Sequence, residues 1–549
     1  MHKTKYIFIS GGVISGIGKG ITSASIALLL KAAGYIVSPI KFEGYLNIDA
    51  GTINPIEHGD TFLCEDGTEA DMDIGTYEKF LNEDMGKDNF GTMGQIYKTI
   101  IDKERRFEYH GEDVEAVHIT EEIVSRIKRA AKVRKAEIVL IELGGTAGEY
   151  WNVFYYEAAR VMALQNPGDC VHIHVSYVPN PKHLGEPKTK PTQLSVRTLN
   201  SMGIQPDFIV ARSEVYLDER RRERFAVNCN MHGDDIISAP DAKSVYEVPM
   251  ILKDQGIVHK IEKKLNLKFK NSKTEEWEAF VKKIQAPKIK TVEIAIIGKY
   301  FGTGDYQLKD SYAALFDAID HAAWYEKVDI KTHWVDAEKV EKEGTKIIGK
   351  PDGIIVPIGW GERGTEGMIA AASYARKEKI PYLGLCFGMQ LAVVAFARDM
   401  LGWKDANSVE NNPKTTHPVI NIIESQKKLM ANRSYGGTMR LGGWQAQLKQ
   451  GSQAYEIYKK YSTFIDGKDG LTSERHRHRY EFNNAYAEEL EKAGLVISAR
   501  SVAEQLVEII ELSKKDHPFY MGTQGHPEYK SRPLRPHPLF IAFIAACKK

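Results

Sequence analysis

Cys386 stands where a short apolar run meets an apolar helical pattern, in PYLGLCFGMQ, residues 381 to 390. The spacing of Gly384, Cys386 and Gly388 is typical of a nucleophile elbow, a tight strand-to-helix turn that exposes the nucleophile. The N-terminus of the following helix favours the thiolate, which is the reactive form of cysteine. A buried structural cysteine is the usual alternative, but the flanking glycines argue against it. The segment therefore predicts a nucleophilic cysteine.

A base for this thiol is offered by QGHPEY, residues 524 to 529, which contains His526 and, two residues on, Glu528. A carboxylate bonded to an imidazole fixes its tautomer, so the pair is a suitable partner for a nucleophile. By itself the segment also fits a surface turn. Together with Cys386 it predicts a Cys/His/Glu triad for acyl transfer. The nearby VPIGWGERG, residues 356 to 364, has backbone N–H groups that could stabilise an oxyanion.

A second kind of chemistry is indicated by GGVISGIGKG, residues 11 to 20, between an apolar run and a helical pattern. Glycines allow close approach to a phosphate, and a helix N-terminus presents free N–H groups to it. Lys19 adds a charge for the outer phosphates, although Gly20 replaces the Ser/Thr that holds Mg²⁺ in a standard P-loop. A glycine-rich turn without a ligand is the alternative. We predict a phosphate site that takes its metal ligands from elsewhere.

Carboxylates and lysines elsewhere could complete such a site. Asp73 ends the acidic stretch EDGTEADMD, and Glu142 follows a buried apolar run, where open α/β sheets bind ligands. Both are candidate Mg²⁺ ligands, although Asp73 taken alone fits a solvated acidic loop better, and the charge of Glu142 after a buried strand needs a partner of some kind. LGEPKTKPTQ, residues 184 to 193, carries two lysines suited to a polyphosphate, although alone it fits a surface loop. RHRHR, residues 475 to 479, suggests by itself an anion or nucleic-acid patch, but the net charge of +1 favours one local site.

The composition narrows the class of protein. The 549 residues include 74 basic and 73 acidic side chains, a net charge of +1, which argues against a nucleic-acid binder and a disordered polyelectrolyte. Five cysteines without CxxC or zinc spacing favour a reducing cytoplasm. The N-terminus does not fit a signal peptide, and no apolar run is long enough to cross a membrane. We expect a soluble, cytoplasmic protein with no nucleic-acid or membrane partner.

The elements that must position these residues form two α/β patterns. Strand, glycine loop, helix and strand over the first forty residues make a βαβ unit, and later apolar runs at 138–143, 171–175 and 208–210 extend a parallel sheet. We predict a P-loop-like, doubly wound domain over 1–268. A lysine-rich stretch, 269–290, is predicted as a linker, or alternatively as a surface helix of either domain. A second α/β domain, 291–549, follows.

Seven motifs occur in a specific order along the chain: GGVISGIGKG, EDGTEADMDIG, KTKPTQ, GLCFGMQ, GGTMRLG, RHRHRYE and GHPEY. In this the sequence resembles the CTP synthases over essentially its whole length, and its second half resembles class I glutamine amidotransferases. The resemblance implies that ATP, with Mg²⁺, phosphorylates O4 of UTP in the first domain. It implies that the second domain hydrolyses glutamine through a Cys386 thioester. Ammonia then displaces the phosphate, giving CTP.

The resemblance also implies regulation and assembly. GTP would activate glutamine hydrolysis, and CTP would act as a feedback inhibitor at a site overlapping that of UTP. The enzyme would form homotetramers through its synthetase domains, with filaments as a further possibility.

Individual residues receive roles from the same resemblance. Lys19 is expected to be catalytic together with the triad, and Asp73 and Glu142 to bind Mg²⁺. The residues implied for ATP are Ser15, Gly16, Ile17, Gly18, Lys19, Gly20, Lys41, Asp73 and Asp241. Those implied for UTP or CTP are Ser15, Glu149, Trp151, Lys188, Lys190, Gln193 and Arg224. Those implied for glutamine are Gly359, Gln390, Glu410 and Arg479, with Gly359 and Phe387 as oxyanion donors. Arg363 and Arg440 are implied in the GTP response, and Pro55 and His58 in the ammonia passage.

The sequence departs from the family pattern mainly near the nucleotides. Trp151 replaces a glutamate, Arg224 replaces a lysine, and Pro240 and Glu43–Gly44 replace other residues. Ile358 replaces a glycine of the oxyanion loop. These changes keep open an ATP-dependent amidoligase with a different acceptor. A non-catalytic, filament-forming nucleotide binder is a further alternative, against which the complete set of catalytic residues argues.

Overall fold

The computed structural model describes residues 3–55, 59–303, 306–307, 309–432, 435–462 and 464–548. The chain divides into two compact units, each with its own sheet. The first comprises Met1–Asp49 and Asp73–Lys282, and the second comprises Ala50–Met72 and Lys283–Lys549. The sequence assigns 50–72 to the first domain, whereas in the structure this segment packs with the second unit.

The first unit is built on a seven-stranded sheet in which every neighbouring pair is parallel. Its strands, from one edge to the other, are Phe90–Thr92, Val37–Glu43, Ile138–Leu143, Lys5–Gly12, Cys170–Tyr177, Phe208–Ser213 and Ile236–Pro240. The central strands read as continuous apolar runs because they are buried on both faces. This confirms the predicted parallel α/β fold.

Helices cover this sheet. They are Lys19–Ala32, Met72–Leu81, Met93–Arg105, Ala116–Arg134, Val153–Gln165, Lys190–Ser201, Glu219–Cys229, Val248–Asp254, Ile257–Lys264 and Glu275–Gln285. One apolar core joins the sheet to the helices Met93–Arg105, Ala116–Arg134 and Val153–Gln165.

The stretch predicted as a linker contains the helix Glu275–Gln285. Trp277 and Phe280 are buried, and the Trp277 ring lies 5.3 Å from that of Phe80. The indole N–H of Trp277 donates to the Tyr246 carbonyl oxygen at 2.9 Å. The many lysines obscure this in the sequence, because only a few apolar residues at helical spacing attach the helix to the first unit.

The second unit contains a nine-stranded mixed sheet. Its strands, in spatial order, are Asp329–Asp336, Thr291–Gly298, Gly353–Val356, Tyr382–Leu385, Tyr520–Thr523, Val507–Leu512, Leu495–Ser501, Arg440–Leu448 and Leu471–His478. The first five run parallel, and the remaining pairs are antiparallel. Smaller sheets pair Thr61–Leu63 with Glu69–Asp71, Gly302–Thr303 with Tyr306–Gln307, and Pro418–Ile422 with both Asn407–Ser408 and Tyr480–Phe482.

The helices of this unit are Ala313–Glu326, Ala337–Glu343, Thr365–Lys377, Phe387–Met400, Glu424–Ala431, Gln453–Tyr461, Ala487–Lys492 and Pro538–Cys547. The apolar helix Pro538–Cys547 is buried in a core with Ala313–Glu326 and Gln453–Tyr461. None of the helices in the described part of the chain combines the length and apolar composition needed to cross a bilayer.

Candidate functional site

Cys386 occupies a strained turn between the strand Tyr382–Leu385 and the helix Phe387–Met400. Its φ of 50° and ψ of −99° are uncommon for a residue with a side chain. The turn depends on its glycines: a Cβ on Gly388 would lie 1.9 Å from the Val356 carbonyl oxygen, and one on Gly384 would lie 2.7 Å from Gly388. The structure therefore has the strand-to-helix turn predicted from the glycine spacing.

His526 and Glu528 lie buried next to Cys386. The Nδ1–H of His526 donates to Oε1 of Glu528 at 2.7 Å, which leaves Nε2 for the thiol. Burial opposes charge on the imidazole, but Glu528 and Cys386 outweigh it and raise the pKa of His526 to about 10. A protonated imidazole at neutral pH can pair with a thiolate, which is the arrangement that activates a cysteine nucleophile.

Glu528→Gln should change how stability depends on pH. The pKa of His526 is raised above its ordinary value of 6.5, so its stabilisation is complete below about pH 6.5 and is lost as pH rises through about 10. Without the carboxylate, the pKa of His526 falls. Across this window we expect the free energy of unfolding to decrease less in the variant, by at least about 1.4 kcal/mol, the equivalent of one pKa unit. Urea unfolding at several pH values measures the free energy of unfolding of both proteins. The same dependence of this free energy on pH in both would contradict the prediction.

A cavity of about 200 Å³ opens beside the thiol. It brings together Cys386 and five of the residues expected in glutamine and oxyanion binding: Gly359, Phe387, Gln390, Glu410 and Arg479. The rest of its lining is Trp360, Met430, Tyr435, Met439, His478 and Tyr480. Its volume suits a small ligand, and its largely apolar lining includes the polar side chains of Gln390, Glu410 and Arg479.

Two side chains of opposite charge face this cavity. Oε1 of Glu410 accepts from the Gly361 N–H at 3.0 Å, and burial raises the pKa of Glu410. Arg479 donates to the Tyr435 carbonyl oxygen at 2.6 Å, and burial lowers the pKa of Arg479. A carboxylate and a guanidinium in one small cavity are suited to the ammonium and carboxylate of an amino acid.

Lys299 is a neighbour of this site that the sequence analysis missed. Its Nζ donates to the carbonyl oxygens of Gly361, at 2.6 Å, and Trp360, at 3.2 Å, and lies 4.4 Å from the centre of the Phe387 ring. Burial lowers the pKa of Lys299 to about 8. Lys299 thus fixes the position of the loop that follows Ile358. Ile358 itself is not among the described residues with positive φ. In the sequence, the feature that could have indicated Lys299 is its place directly after the buried strand Thr291–Gly298.

Residues 475 to 478 of the RHRHR motif lie on the edge strand Leu471–His478, where alternate side chains have different partners, and Arg479 follows the strand. Arg475 pairs with Glu65 at 3.0 Å, and Arg477 pairs with Glu69 at 2.7 Å. Both arginines are buried, so these contacts fasten the segment 50–72 to the second unit. The sequence suggested one anion site, but the period of a strand divides the basic groups between two faces.

The residues expected in the GTP response differ in setting. Arg363 is exposed, pairs with Glu338 at 2.9 Å and donates to the Lys299 carbonyl oxygen at 2.8 Å. Arg440 is buried and pairs with Glu508 at 2.7 Å. 

Of the two residues expected in the ammonia passage, His58 lies outside the described residues. The carbonyl oxygen of Pro55 accepts from the hydroxyl of Ser311 at 3.4 Å. Nearby in the chain, burial and the charge of Glu528 raise the pKa of Asp60 to about 7.

In the first unit, the glycine loop and two carboxylates converge on the start of the helix Lys19–Ala32. A Cβ on Gly20 would lie 2.1 Å from Oδ1 of Asp73. Glycine at this position therefore makes room for a carboxylate where a P-loop has a hydroxyl. Lys41 pairs with Asp73, and its Nζ lies 2.9 Å from Glu43 and 3.9 Å from Glu142.

Gly20→Ala should disrupt this arrangement. The added Cβ displaces the carboxylate of Asp73, and misplacing a catalytic group by about 1 Å can cost on the order of 10²-fold in rate. We expect the ATP-dependent synthesis that the resemblance implies to fall by about that factor, while the glutamine hydrolysis expected of the second unit persists. Gly233→Ala is the matched control, because a Cβ there meets no atom within 4 Å. Unchanged synthesis in Gly20→Ala would contradict the role of Asp73 at this position.

Glu142 provides the test of whether a divalent cation fits here. Its carboxylate is buried and accepts from the Tyr77 hydroxyl at 2.7 Å. Burial raises the pKa of Glu142 to about 7, and Lys41 opposes that rise. A buried carboxylate beside Asp73, compensated by an ammonium, is a donor set that accommodates Mg²⁺ together with phosphate oxygens. Lys19 lies beside them and donates to the Gly145 carbonyl oxygen at 2.8 Å.

The residues expected to bind the pyrimidine nucleotide are only partly brought together. Glu149 and Trp151 line a cavity of about 390 Å³, together with Glu43, Gly44, Tyr45, Leu46, Gly144, Gly145 and Asn152. The remaining residues do not line it: Lys188 pairs with Glu186 at 2.5 Å, Gln193 is buried, and Ser15, Lys190 and Arg224 are exposed.

Asp241 has a partner that the sequence analysis did not identify. Arg212 pairs with Asp241 at 3.1 Å and donates to the Pro240 carbonyl oxygen at 2.9 Å. The Nε of Arg212 would lie 3.8 Å from a Cβ on Gly18, so Arg212 reaches the glycine loop. An arginine at the C-terminal end of the strand Phe208–Ser213 was the available signal.

Comparison with known families assigns both units. The family model for the CTP synthase N-terminus matches residues 5–267, and that for class-I glutamine amidotransferases matches residues 307–546. These matches define a glutamine-hydrolysing ligase. The CTP synthase of Caldanaerobacter subterraneus subsp. tengcongensis is 47% identical over 99% of this chain and 98% of its own length. That of Pyrococcus furiosus is 47% identical over 100% of this chain and 98% of its own. The chain belongs to the CTP synthase family.

A solved structure is also similar to part of the chain. It is the glutaminase domain of Trypanosoma brucei CTPS with bound acivicin, at 36% identity and a TM-score of 0.41. The match covers 47% of this chain and 94% of that one.

Proposed function

We propose that the two units catalyse two halves of one reaction, in which UTP, ATP and glutamine give CTP, ADP, phosphate and glutamate. Membership of the CTP synthase family along the whole chain carries this proposal. The second unit would release ammonia from glutamine, and the first would activate UTP to receive it. An amidoligase of the same architecture with another acceptor is not favoured by the relatives, and neither is a non-catalytic homologue.

Glutamine hydrolysis is assigned to the triad. The Cys386 thiolate attacks the side-chain amide carbon, and N–H groups of Gly359 and Phe387 stabilise the oxyanion. His526 protonates the departing nitrogen, so ammonia leaves and a thioester remains. His526 then removes a proton from water, which cleaves the thioester and gives glutamate. Glu528 holds the imidazole in the required tautomer.

The orientation of glutamine is assigned to the cavity beside the thiol. Arg479 would bind the α-carboxylate, and Glu410 and Gln390 would bind the α-ammonium. This places the side-chain amide at Cys386.

ATP activation of UTP is assigned to the glycine loop. Lys19 and the N–H groups at the start of the helix would hold the ATP phosphates, and Lys41 would lie beside Asp73. Arg212 and Asp241 would lie towards the base of ATP. Mg²⁺ bound by Asp73 and Glu142 would neutralise charge on these phosphates. The γ-phosphoryl group passes to O4 of UTP, which makes O4 a good leaving group. Ammonia then adds at C4, loses a proton and expels phosphate.

The acceptor nucleotide is assigned to the remaining positions. Glu149 and Trp151 would border the UTP base or ribose, while Ser15, Lys188, Lys190, Gln193 and Arg224 would bind its triphosphate. CTP would compete at an overlapping site, and GTP would stimulate glutamine hydrolysis through the region of Arg363 and Arg440. Pro55 and His58 would border the route of ammonia.

We assign the synthetase to residues 1–268 and the amidotransferase to 291–549, in a cytoplasmic homotetramer that can extend into filaments. Exposed apolar side chains on the first unit, including Phe107, Val117 and Leu164, are consistent with subunit contacts there. Size-exclusion chromatography with light scattering, with and without nucleotides, tests the assembly.

The purified protein, supplied with UTP, ATP, Mg²⁺ and glutamine, tests the function directly. We expect CTP, ADP and glutamate in equal amounts, separated by ion-exchange chromatography. Omission of ATP should stop CTP formation, and chelation of Mg²⁺ should do the same. Glutamate release without CTP would show that the acceptor is not UTP.

A further inference from the structure

A chain of hydrogen bonds runs behind the glutamine cavity, starting from the buried Arg440. One guanidinium nitrogen, Nη2, pairs with Oε1 of Glu508 at 2.7 Å. The other, Nη1, lies 3.3 Å from Nε2 of His478, which lines the cavity. His476, on the same strand as His478, bonds the second oxygen of Glu508 at 2.5 Å. Arg440 is thus held in place from two sides.

This arrangement fixes the tautomer of His478. A guanidinium can only donate, so Nε2 of His478 accepts and its proton resides on Nδ1. Nδ1–H then donates to the Tyr480 carbonyl oxygen at 2.9 Å. Burial lowers the pKa of His478 well below its usual range, and Arg440 acts in the same direction. The imidazole is therefore neutral and acts as a donor towards Tyr480.

The Tyr480 carbonyl oxygen links His478 to a side chain that lines the cavity. It also accepts from Nε2 of Gln390 at 2.8 Å, and the same Nε2 donates to Oε1 of Gln524 at 3.1 Å. Nε2 of Gln524 in turn lies 3.5 Å from Sγ of Cys386. Both hydrogens of the Gln390 amide are thereby committed, and its Oε1 remains as an acceptor for a ligand in the cavity.

We propose that His478 is a positioning residue for glutamine, which acts through the Tyr480 carbonyl to orient Gln390 as an acceptor for the substrate ammonium. The proposal rests on the proposed function of the cavity and adds to it a residue that need not touch the reacting amide. Arg440 contributes to this positioning by setting the tautomer of His478.

A pair of substitutions separates hydrogen bonding from packing. His478→Leu removes both bonds, whereas His478→Gln retains an acceptor for Arg440 and a donor for Tyr480. Steady-state glutamate release is measured for both, without reference to CTP. In His478→Leu the Tyr480 carbonyl is no longer fixed by Nδ1–H, so the Gln390 amide that is bonded to this carbonyl can shift with it. We therefore expect the KM for glutamine to rise about tenfold, with a smaller change in kcat. We expect His478→Gln to remain within about threefold of the unmodified protein.

Controls distinguish this from a general defect of folding. His517→Gln alters another buried histidine of the same unit, one that bonds the Ala375 carbonyl oxygen and does not line the cavity. It should leave the KM for glutamine unchanged. If His478→Leu shows no cooperative thermal unfolding, His478→Met replaces it as the apolar variant.

A KM within about twofold in the folded apolar variant would overturn the proposal, as would a His478→Gln variant as impaired as the apolar one. If the unmodified protein releases glutamate but makes no CTP, the acceptor assignment fails while this test remains valid.

Discussion

Cys386→Ala should abolish CTP formation from glutamine and leave CTP formation from added ammonium nearly intact. The alanine cannot form a thioester, so no ammonia is released. Loss of a nucleophile in a triad typically costs on the order of 10⁶-fold in kcat. The synthetase reaction needs only ATP, UTP and free ammonia, and none of these binds at the thiol. The measurement is CTP formation with each nitrogen source, at a pH near 8.5 to 9 where more of the ammonium is free ammonia.

A matched substitution controls for the loss of a cysteine. Cys229 ends the helix Glu219–Cys229 in the first unit and belongs to neither candidate site, so Cys229→Ala should keep both activities. If Cys386→Ala loses synthesis from ammonium as fully as from glutamine, the two chemical steps do not occupy separate sites.

Lys19→Ala should have the complementary effect. The Lys19 ammonium is the charge expected at the outer ATP phosphates, and loss of one such electrostatic contact costs on the order of 10²–10³-fold. CTP synthesis should fall by that factor with either nitrogen source. Glutamate release without nucleotides should remain within about twofold, because the Cys386 cavity belongs to the other unit.

Lys31→Ala is the appropriate control for Lys19→Ala. Lys31 lies in the last turn of the same helix and pairs with Glu83, away from the glycine loop. It should leave both activities unchanged. Loss of basal glutamate release in Lys19→Ala would mean that Lys19 supports the fold or the coupling of activities rather than ATP alone.

The sequence was most informative where local spacing dictates geometry. Gly384 and Gly388 predict the turn at Cys386, because no larger residue fits the close backbone contacts there. His526 and Glu528 lie two residues apart, so their hydrogen bond is local. The parallel sheet follows from apolar runs that alternate with helical patterns.

Features that depend on distant contacts could not be predicted in this way. The assignment of residues 50–72 to the second unit depends on Arg475 and Arg477, which lie some four hundred residues further along the chain. The role of Gly20 became clear only from the nearby carboxylate of Asp73. The setting of Arg440, which the resemblance links to the GTP response, likewise depends on a distant residue, because Glu508 pairs with it in the interior of the second unit.

Transfer of the glutamine amide nitrogen to UTP tests the central claim most directly. The protein is given glutamine labelled with ¹⁵N in the amide, together with UTP, ATP and Mg²⁺, and the CTP is analysed by mass spectrometry. We predict CTP that carries one ¹⁵N atom, formed in step with glutamate. Labelled ammonium that accumulates with glutamate while UTP stays unchanged would contradict the account.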